Sequence, residues 1–296
     1  MTDTVAIRVA SLHLHPVKSC AAVDVREALL TETGFDLDRQ WMVVDEHGEF
    51  LSQRELPRLA LVRPQLRAAD VILRAPGMLA LHLALDAVDQ PLDVKVWKDR
   101  LPAWDMGALA AQWFSDFLGR PVRLARFDPE QRRLSNKKWT GEIDALNAFS
   151  DGYPILVCSS GALEALNERL AAKGRAAVTM ARFRPNLVID GDDEALREHL
   201  EDHVGELRFA TADGPVVLRL VKPCSRCPIP DVDPATGVPD GEAGIAPGAT
   251  VSDVLASYRA DARLEGAITF GMNAVIVEGF ERVLRVGDAG EATLSF

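Results

Sequence analysis

Short apolar runs broken by polar turns dominate the first part of the chain. Ile7 to Leu14 alternates loosely and then meets His15-Pro16, which predicts a strand ending at a turn. Lys18, Ser19 and Cys20 follow directly. Thr33-Gly34 and Asp36 to Arg39 form a polar turn before a strand over Gln40 to Val44. Glu46-His47-Gly48 reads as a hairpin turn, with Phe50-Leu51 starting the return. Leu59 to Val62, Val71 to Leu73, Leu79 to Leu85 and Leu92 to Trp97 continue the series of short strands.

The first helical period runs from Gly107 to Leu118. Asp105 can cap its start, Leu109, Trp113 and Phe117 recur every four residues, and Gly119 stops it. Val122 to Phe127 reads as a strand. Asp128 to Asp144 is polar and aperiodic, so it is expected to be a linker or long surface loop. That places a domain boundary there, giving units 1–127 and 128–296. Beyond it, Ile155 to Cys158 is a short strand. Ser159-Ser160-Gly161 opens a helix whose Leu163, Leu166 and Leu170 share a face, with Gly174 as its stop. Leu187 to Ile189, Val216 to Leu220, Ala274 to Val277 and Val283 to Val286 read as strands. Asp192 to Leu200 and Ser252 to Ala260 read as short helices, and Pro228 to Gly248 as a loop. The fold class is mainly β with flanking helices, α+β.

The 296 residues suffice for one large domain or two smaller ones, and 48% hydrophobic with 26% charged residues is the balance of a globular protein. A net charge of -11 argues against broad nucleic-acid binding, which needs a basic surface. No apolar run approaches the ~20 residues of a membrane helix, and Met1 to Ala10 lacks a signal-peptide core. The cysteines are Cys20, Cys158, Cys224 and Cys227, too few and too uneven for a disulfide framework. A cytoplasmic, reducing location is expected.

The candidate chemistry centres on Val221 to Gly237, rich in proline and acid and expected to leave the strand after Leu220. Cys224 and Cys227 flank Ser225 and Arg226, and a cation beside a thiol favours the thiolate. A structural zinc site would want a second ligand pair, which no other C-x-x-C supplies. A thioredoxin-type pair would want a helix directly after it, where Pro228 and Pro230 stand. Two unreactive cysteines remain the plain alternative. His199 and His203, four apart, resemble an inverted zinc-protease spacing, although surface histidines explain them as well. Lys18, Arg39, Arg184 and Arg226 lie at strand ends beside Ser19, Asp38, Asn186 and Ser225. Together such cations would line an anion pocket, and the helix start at Ser159 adds backbone N–H groups suited to the same task.

Several motifs in order carry a resemblance. They are His15-Pro16-Val17-Lys18-Ser19-Cys20, Asp38-Arg39-Gln40-Trp41-Met42-Val43, Phe149-Ser150-Asp151-Gly152-Tyr153-Pro154, Phe183-Arg184-Pro185-Asn186 and Cys224-Ser225-Arg226-Cys227. Val232 to Gly237, Tyr258-Arg259, Phe270-Gly271-Met272-Asn273 and Val286-Gly287-Asp288 also fit. The chain resembles the MOSC-domain molybdenum-cofactor proteins, in the branch of the mitochondrial amidoxime-reducing component and its bacterial YcbX-type relatives. The resemblance implies a MOSC N-terminal β domain, a MOSC β-barrel domain and a Mo-molybdopterin cofactor between them. It implies that Cys227 is the metal ligand and Cys224 a neighbour. Lys18, Ser19, Arg39, Arg184, Asn186, Ser225 and Arg226 match cofactor-binding positions, Asn273 occupies a pocket position, and Asp231 and Asp233 are candidates for ordering water near the metal.

The implied reaction reduces small N-oxygenated compounds, amidoximes and hydroxylamines, with loss of water. Some bacterial relatives carry a C-terminal ferredoxin domain. Here the chain ends at Phe296 without spare cysteines for a [2Fe–2S] centre. Electrons are therefore expected from a separate iron–sulfur, flavin or haem protein, and not from a nucleotide, because no Gly-x-Gly-x-x-Gly follows a predicted strand. No nucleic-acid or membrane partner is expected. The competing readings are a non-catalytic cofactor carrier or sulfur-delivery protein, and a protein with a zinc-stapled loop.

Overall fold

The computed structural model describes residues 4–193 and 197–295. Its largest sheet closes on itself. In ring order the strands are Ile155–Ser159, Leu187–Gly191, Thr4–Leu14, Ala289–Leu294, Val204–Thr211, Gly214–Ser225 and Ala267–Glu278, which pairs back onto Ile155–Ser159. Thr4–Leu14 shows why such a ring forms. Its period of two turns Val5, Ile7 and Val9 inward and leaves Thr4, Ala6 and Arg8 outside. Phe209, Leu207, Leu218, Leu187 and Ile189 meet Ile7 and Val9 in one core. The first and last strands of the chain are neighbours, with Ala6 opposite Glu291. The one parallel pair in the ring, Ile155–Ser159 with Leu187–Gly191, needs a crossover, and the helix Ser160–Ala171 lies in that connection.

A second layer is built from Trp41–Val44, Arg123–Phe127, Asp99–Asp105 and Pro91–Val96, paired in that order. A meander of Arg63–Leu66, Asp70–Arg74 and Leu81–Ala84 accompanies it. The helix Gly107–Leu118 shares a core with Leu59, Val71, Leu73 and Leu124 through Ala110, Trp113, Phe114 and Phe117. The Asp105 carboxylate accepts from Gly107 N at 2.6 Å, and Gly119 ends the helix at φ +71°, where a Cβ would be strained. Leu109 is exposed, because a strict spacing of four drifts off a stripe of period 3.6. Mostly β with few helices, the molecule has the expected class. Among the described residues no helix is long and apolar enough to cross a membrane.

Several expectations are corrected. Leu59 to Val62 is no strand: Pro57 starts a 3-10 turn over Pro57–Leu61. Asp128 to Asp144 is largely the exposed surface loop expected, but it is an ordered one. Arg133 is buried and donates to Asn147 Oδ1, Ala148 O and Ser150 O at 2.7, 2.8 and 2.6 Å, and Asn136 caps a short helix at Lys137–Thr140. Arg133 meets protein acceptors, so polarity without period concealed a buried cation within the loop. The helix expected over Asp192 to Leu200 falls partly on 194–196, outside the described residues. His199 has a left-handed backbone and precedes a 3-10 turn at Leu200–His203, so the two histidines do not share an α-helical face. The strand expected to stop at Leu220 continues to Ser225. Its register shifts at Leu220/Lys222 and again at Pro223/Ser225, and such irregularities tolerate a proline without an N–H.

Gly271 marks a close approach within this barrel. At φ +78° an added Cβ would stand 2.7 Å from Cys158 Sγ and 2.8 Å from Val157 O. Gly266, at φ +83°, has open space around it. Gly271→Ala is expected to lose roughly 2–4 kcal/mol in urea unfolding, the sum of left-handed strain and overpacking. Gly266→Ala should lose only the strain, about 1–2 kcal/mol. Equal losses would refute the close-approach account.

Candidate functional site

Five chain segments that end or begin strands meet around one cavity. They are the turn after Thr4–Leu14, the turn before Trp41–Val44, the segment before Ile155–Ser159, the link into Leu187–Gly191, and the end of Gly214–Ser225. Backbone bonds tie them together. Lys18 N donates to Trp41 O at 2.7 Å, Arg39 N to His15 O at 2.9 Å, Phe149 N to Arg39 O at 3.1 Å and Asn186 N to Leu156 O at 2.9 Å. Ser19, Arg39 and Arg184 all have left-handed backbones, at φ +68°, +49° and +59°. Each such non-glycine residue costs about 1–2 kcal/mol. Three at one site show that the surrounding bonds hold it in shape.

The cavity carries more positive than negative charge. Lys18, Arg39, Arg54, Arg184 and Arg226 line it, with Asp151 as its carboxylate. The Arg39 guanidinium donates to Asp38 Oδ2 at 2.5 Å, to Asn186 Oδ1 at 2.8 Å and to Arg184 O at 3.1 Å. Arg184 donates to the Cys20 carbonyl. Burial, and then the charge of Arg39, brings Arg184 down to about 10. Burial also lowers Lys18, against the pull of Asp151, whose Oδ1 lies 2.5 Å away. Burial would raise the Asp151 carboxyl, but Lys18, the Trp97 N–H at 3.1 Å and Arg39 together hold it well below the usual range. Asp151 keeps 72% of its side-chain surface open, yet it sits within the protein envelope. Its carboxylate faces the hollow.

The four thiols divide cleanly. Burial pushes Cys20 up to about 12, and burial followed by Glu201 raises Cys158 well above the usual thiol range. Neither is suited to act as a thiolate. Cys224 and Cys227 both line the cavity. Cys224 accepts from Arg226 Nη1 at 3.1 Å and packs against the core cluster that contains Phe183, Phe270 and Leu255. Among the described residues the Cys227 sulfur has no hydrogen-bond partner. Burial works against the Arg226 charge, but the sulfurs of Cys224, Cys158 and Cys227 outweigh it, and the net effect is upward. Arg226 NH2 donates to Phe183 O at 2.9 Å, and its buried Nε lacks a partner.

Of the residues singled out in the sequence, Lys18, Ser19, Arg39, Arg184, Asn186, Ser225, Arg226, Cys227 and Asn273 line this cavity. Ser159, Asp231 and Asp233 do not. Ser159 caps the helix Ser160–Ala171 by accepting from Ala162 N at 3.2 Å. Asp231 accepts from Ser252 N at 2.8 Å. Asp233 folds its own turn, accepting from Ala235 N at 2.7 Å and Thr236 N at 3.2 Å. Asp233 Oδ2 also accepts from Arg182 at 3.3 Å, so all three side chains are engaged outside the cavity. Sequence reasoning missed Phe50, Arg54, Trp97, Asp151 and Tyr153 on the cavity wall. Asp151 and Tyr153 stood inside a quoted motif, and their polarity at a strand start was the available signal.

The donor set suits an anionic, phosphate-bearing group with a soft metal. Cations in excess of carboxylates, the unpartnered Arg226 Nε and one thiol free of hydrogen bonds are what such a group would meet. Among the described residues no three His, Cys, Asp or Glu side chains gather as a metal cluster. The C-x-x-C pair therefore has no second pair with which to hold zinc.

Comparison with known proteins gives two family matches: the MOSC N-terminal beta barrel domain over residues 6–121 and the MOSC domain over residues 144–290. The mitochondrial amidoxime-reducing component 1 of Mus musculus is 34% identical over 78% of this chain and 67% of its own length. The mitochondrial amidoxime reducing component 2 of Homo sapiens is 32% identical over 85% of this chain and 72% of its own. The molybdenum cofactor sulfurase of Homo sapiens is 30% identical over 77% of this chain but only 27% of its own length.

His15 supplies a test of the site's architecture. It is buried, its Nε2 donates to Pro185 O at 3.0 Å and its backbone N donates to Asp38 Oδ1 at 2.7 Å. Burial, then Arg39 and Arg184, hold its pKa well below the usual value. The unfolded chain takes up a proton near pH ~6.5 that the folded one refuses, so stability falls as pH drops below that value. Urea unfolding should show a contribution of up to about 1.4 kcal/mol per pH unit from this residue, absent in His15→Gln. An unchanged pH slope in the variant would contradict a neutral buried His15.

Proposed function

Because the chain belongs to the MOSC family, with both its N-terminal beta barrel domain and its MOSC domain, we propose that it is a molybdenum-cofactor reductase of N-hydroxylated compounds supplied with electrons by a separate protein. The observation that carries this reading is Cys227 in a cation-lined cavity, in a chain whose relatives are named amidoxime-reducing components. In this reading an amidoxime takes two electrons and two protons, its N–O bond breaks, and an amidine and water leave. The bound cofactor would supply the two-electron chemistry.

The protein's part is binding and orientation. Cys227 would be the thiolate ligand. Lys18, Arg39, Arg184 and Arg226 would hold phosphate, with Ser19, Ser225 and Asn186 meeting the pterin's polar edge. Asn273 is anchored by donating to Lys222 O at 3.2 Å and would form part of the wall. Cys224 would keep Arg226 aimed into the cavity. The likeness to the molybdenum cofactor sulfurase favours a second reading, a carrier or sulfur-delivery protein, although it reaches only 27% of that protein's length.

Purified holoprotein should reduce an amidoxime with reduced viologen and should do nothing with NADH alone. Full molybdenum occupancy without turnover from any donor would favour the carrier reading. Cys227→Ser should abolish turnover with the fold intact, and Cys224→Ser should retain most of it. Identical behaviour of the two variants would reverse the ligand assignment. Arg184→Ala should lower the molybdenum and pterin content of the isolated protein, since a charge-assisted bond to phosphate is worth roughly 1.5–3 kcal/mol. Unchanged content would remove Arg184 from the set.

A further inference from the structure

The outer wall of the cavity has no part in holding the cofactor in that reading, yet it is built with care. Phe50 and Trp97 meet edge to face, with centroids 5.0 Å apart. Trp97 is 43% exposed and has a left-handed backbone at φ +57°. Its N–H is held by Asp151 Oδ1. A large indole, strained, pinned and still open to solvent at a cavity is a surface kept for contact. The Arg54 guanidinium lies 4.5 Å from the Trp97 ring centroid and 5.5 Å from that of Phe50. Its Nε donates to Ser52 Oγ at 3.0 Å and stands 3.4 Å from Glu55 Oε1. Glu55 is itself occupied, its Oε2 accepting from Ser52 N and Oγ at 3.0 and 2.7 Å. Among the described residues the two terminal amino groups of Arg54 make no hydrogen bond. They are fixed donors on the wall of a cavity whose carboxylate already serves Lys18 and Trp97.

We propose that Phe50, Trp97 and Arg54 form the substrate seat, and that it selects planar aromatic N-hydroxy compounds carrying an anionic group, carboxylate or phosphate, that meets the Arg54 amino groups. The N-hydroxy part rests on the reductase reading, whereas the anionic aromatic part rests on this wall alone. The ring pair offers flat apolar area at little entropic cost, because both rings are already ordered. Guanidinium suits a planar carboxylate or a phosphate edge through paired N–H groups. A cationic substituent there would meet Arg54, with Lys18 and Arg39 behind it, and would be rejected by like charge.

The test uses three benzamidoximes of one skeleton, bearing a para carboxylate, hydrogen or a para trimethylammonium group. Calorimetry on holoprotein without reductant measures binding, and reduced viologen then measures turnover. The carboxylate should bind tightest, about tenfold over the trimethylammonium compound, as expected for partly exposed charges. Arg54→Met should compress the three affinities to within about twofold, and Arg54→Lys should restore part of the spread. Equal affinities in the unaltered protein, or an unchanged order in Arg54→Met, would overturn the proposal. So would a loss of molybdenum and pterin in Arg54→Met with the order intact, which would give Arg54 to the cofactor. The predicted order without any turnover would sink the reductase reading and leave the seat standing.

Discussion

Arg39 stands close enough to Arg184 to make the Arg184 charge harder to keep, and the polar contacts of the cavity are set around these two guanidiniums. Asp38 meets Arg39, while among the described residues the Arg184 side chain donates only to the Cys20 carbonyl. Burial and Arg39 lower Arg184 to about 10, still charged at neutral pH. Held this way, the pair gains most from an anion that binds both. Asn186 keeps the pair in register, accepting from Arg39 NH1 at 2.8 Å and from Leu156 N at 3.2 Å and donating to His13 O at 3.3 Å. Three strand ends are thereby fixed by one side chain, and the left-handed turns at Arg39 and Arg184 are the strain this arrangement carries.

The scaffold that tolerates this strain is the closed barrel. Closure leaves the strands of the ring without a free edge, so their ends are rigid supports for loops. Gly214–Ser225 delivers Arg226 and Cys227 at its end, and its shifts of register turn Cys224 toward Phe183 and Phe270. The second layer contributes Phe50, Arg54 and Trp97 to the wall, with Lys18 Nζ 5.3 Å from the Phe50 ring centroid. Function in the proposed reading lives at the seam, where a rigid cationic pocket meets an aromatic rim.

Much of this was legible in the sequence, for identifiable reasons. The helices at Gly107–Leu118 and Ser160–Ala171 announced themselves by period and by caps. Lys18, Arg39, Arg184 and Arg226 were visible as cations beside turn residues, and Cys227 through its motif. Other features left no local trace. The strands Asp99–Asp105, Val204–Thr211 and Ala289–Leu294 are mixed in polarity, and pairing with distant partners decides them. The neighbourhood of Thr4–Leu14 and Ala289–Leu294 joins the two ends of the chain, which no window of residues can show. Ser159 stood out as a helix start, and Asp231 and Asp233 through the resemblance, but each accepts from a backbone N–H and none lines the cavity. Trp97 read only as a strand end and Arg54 carried no signal, until the fold set both on the same cavity as Arg226.

The account's central claim is that this cavity exists to hold a pterin-bound molybdenum through one thiolate and a ring of cations. Its most direct test is elemental and pterin analysis of the protein purified from a host able to make the cofactor. The account predicts molybdenum and pterin in equal amounts, close to one of each per chain, with zinc absent. Zinc at one per chain with neither molybdenum nor pterin would contradict it.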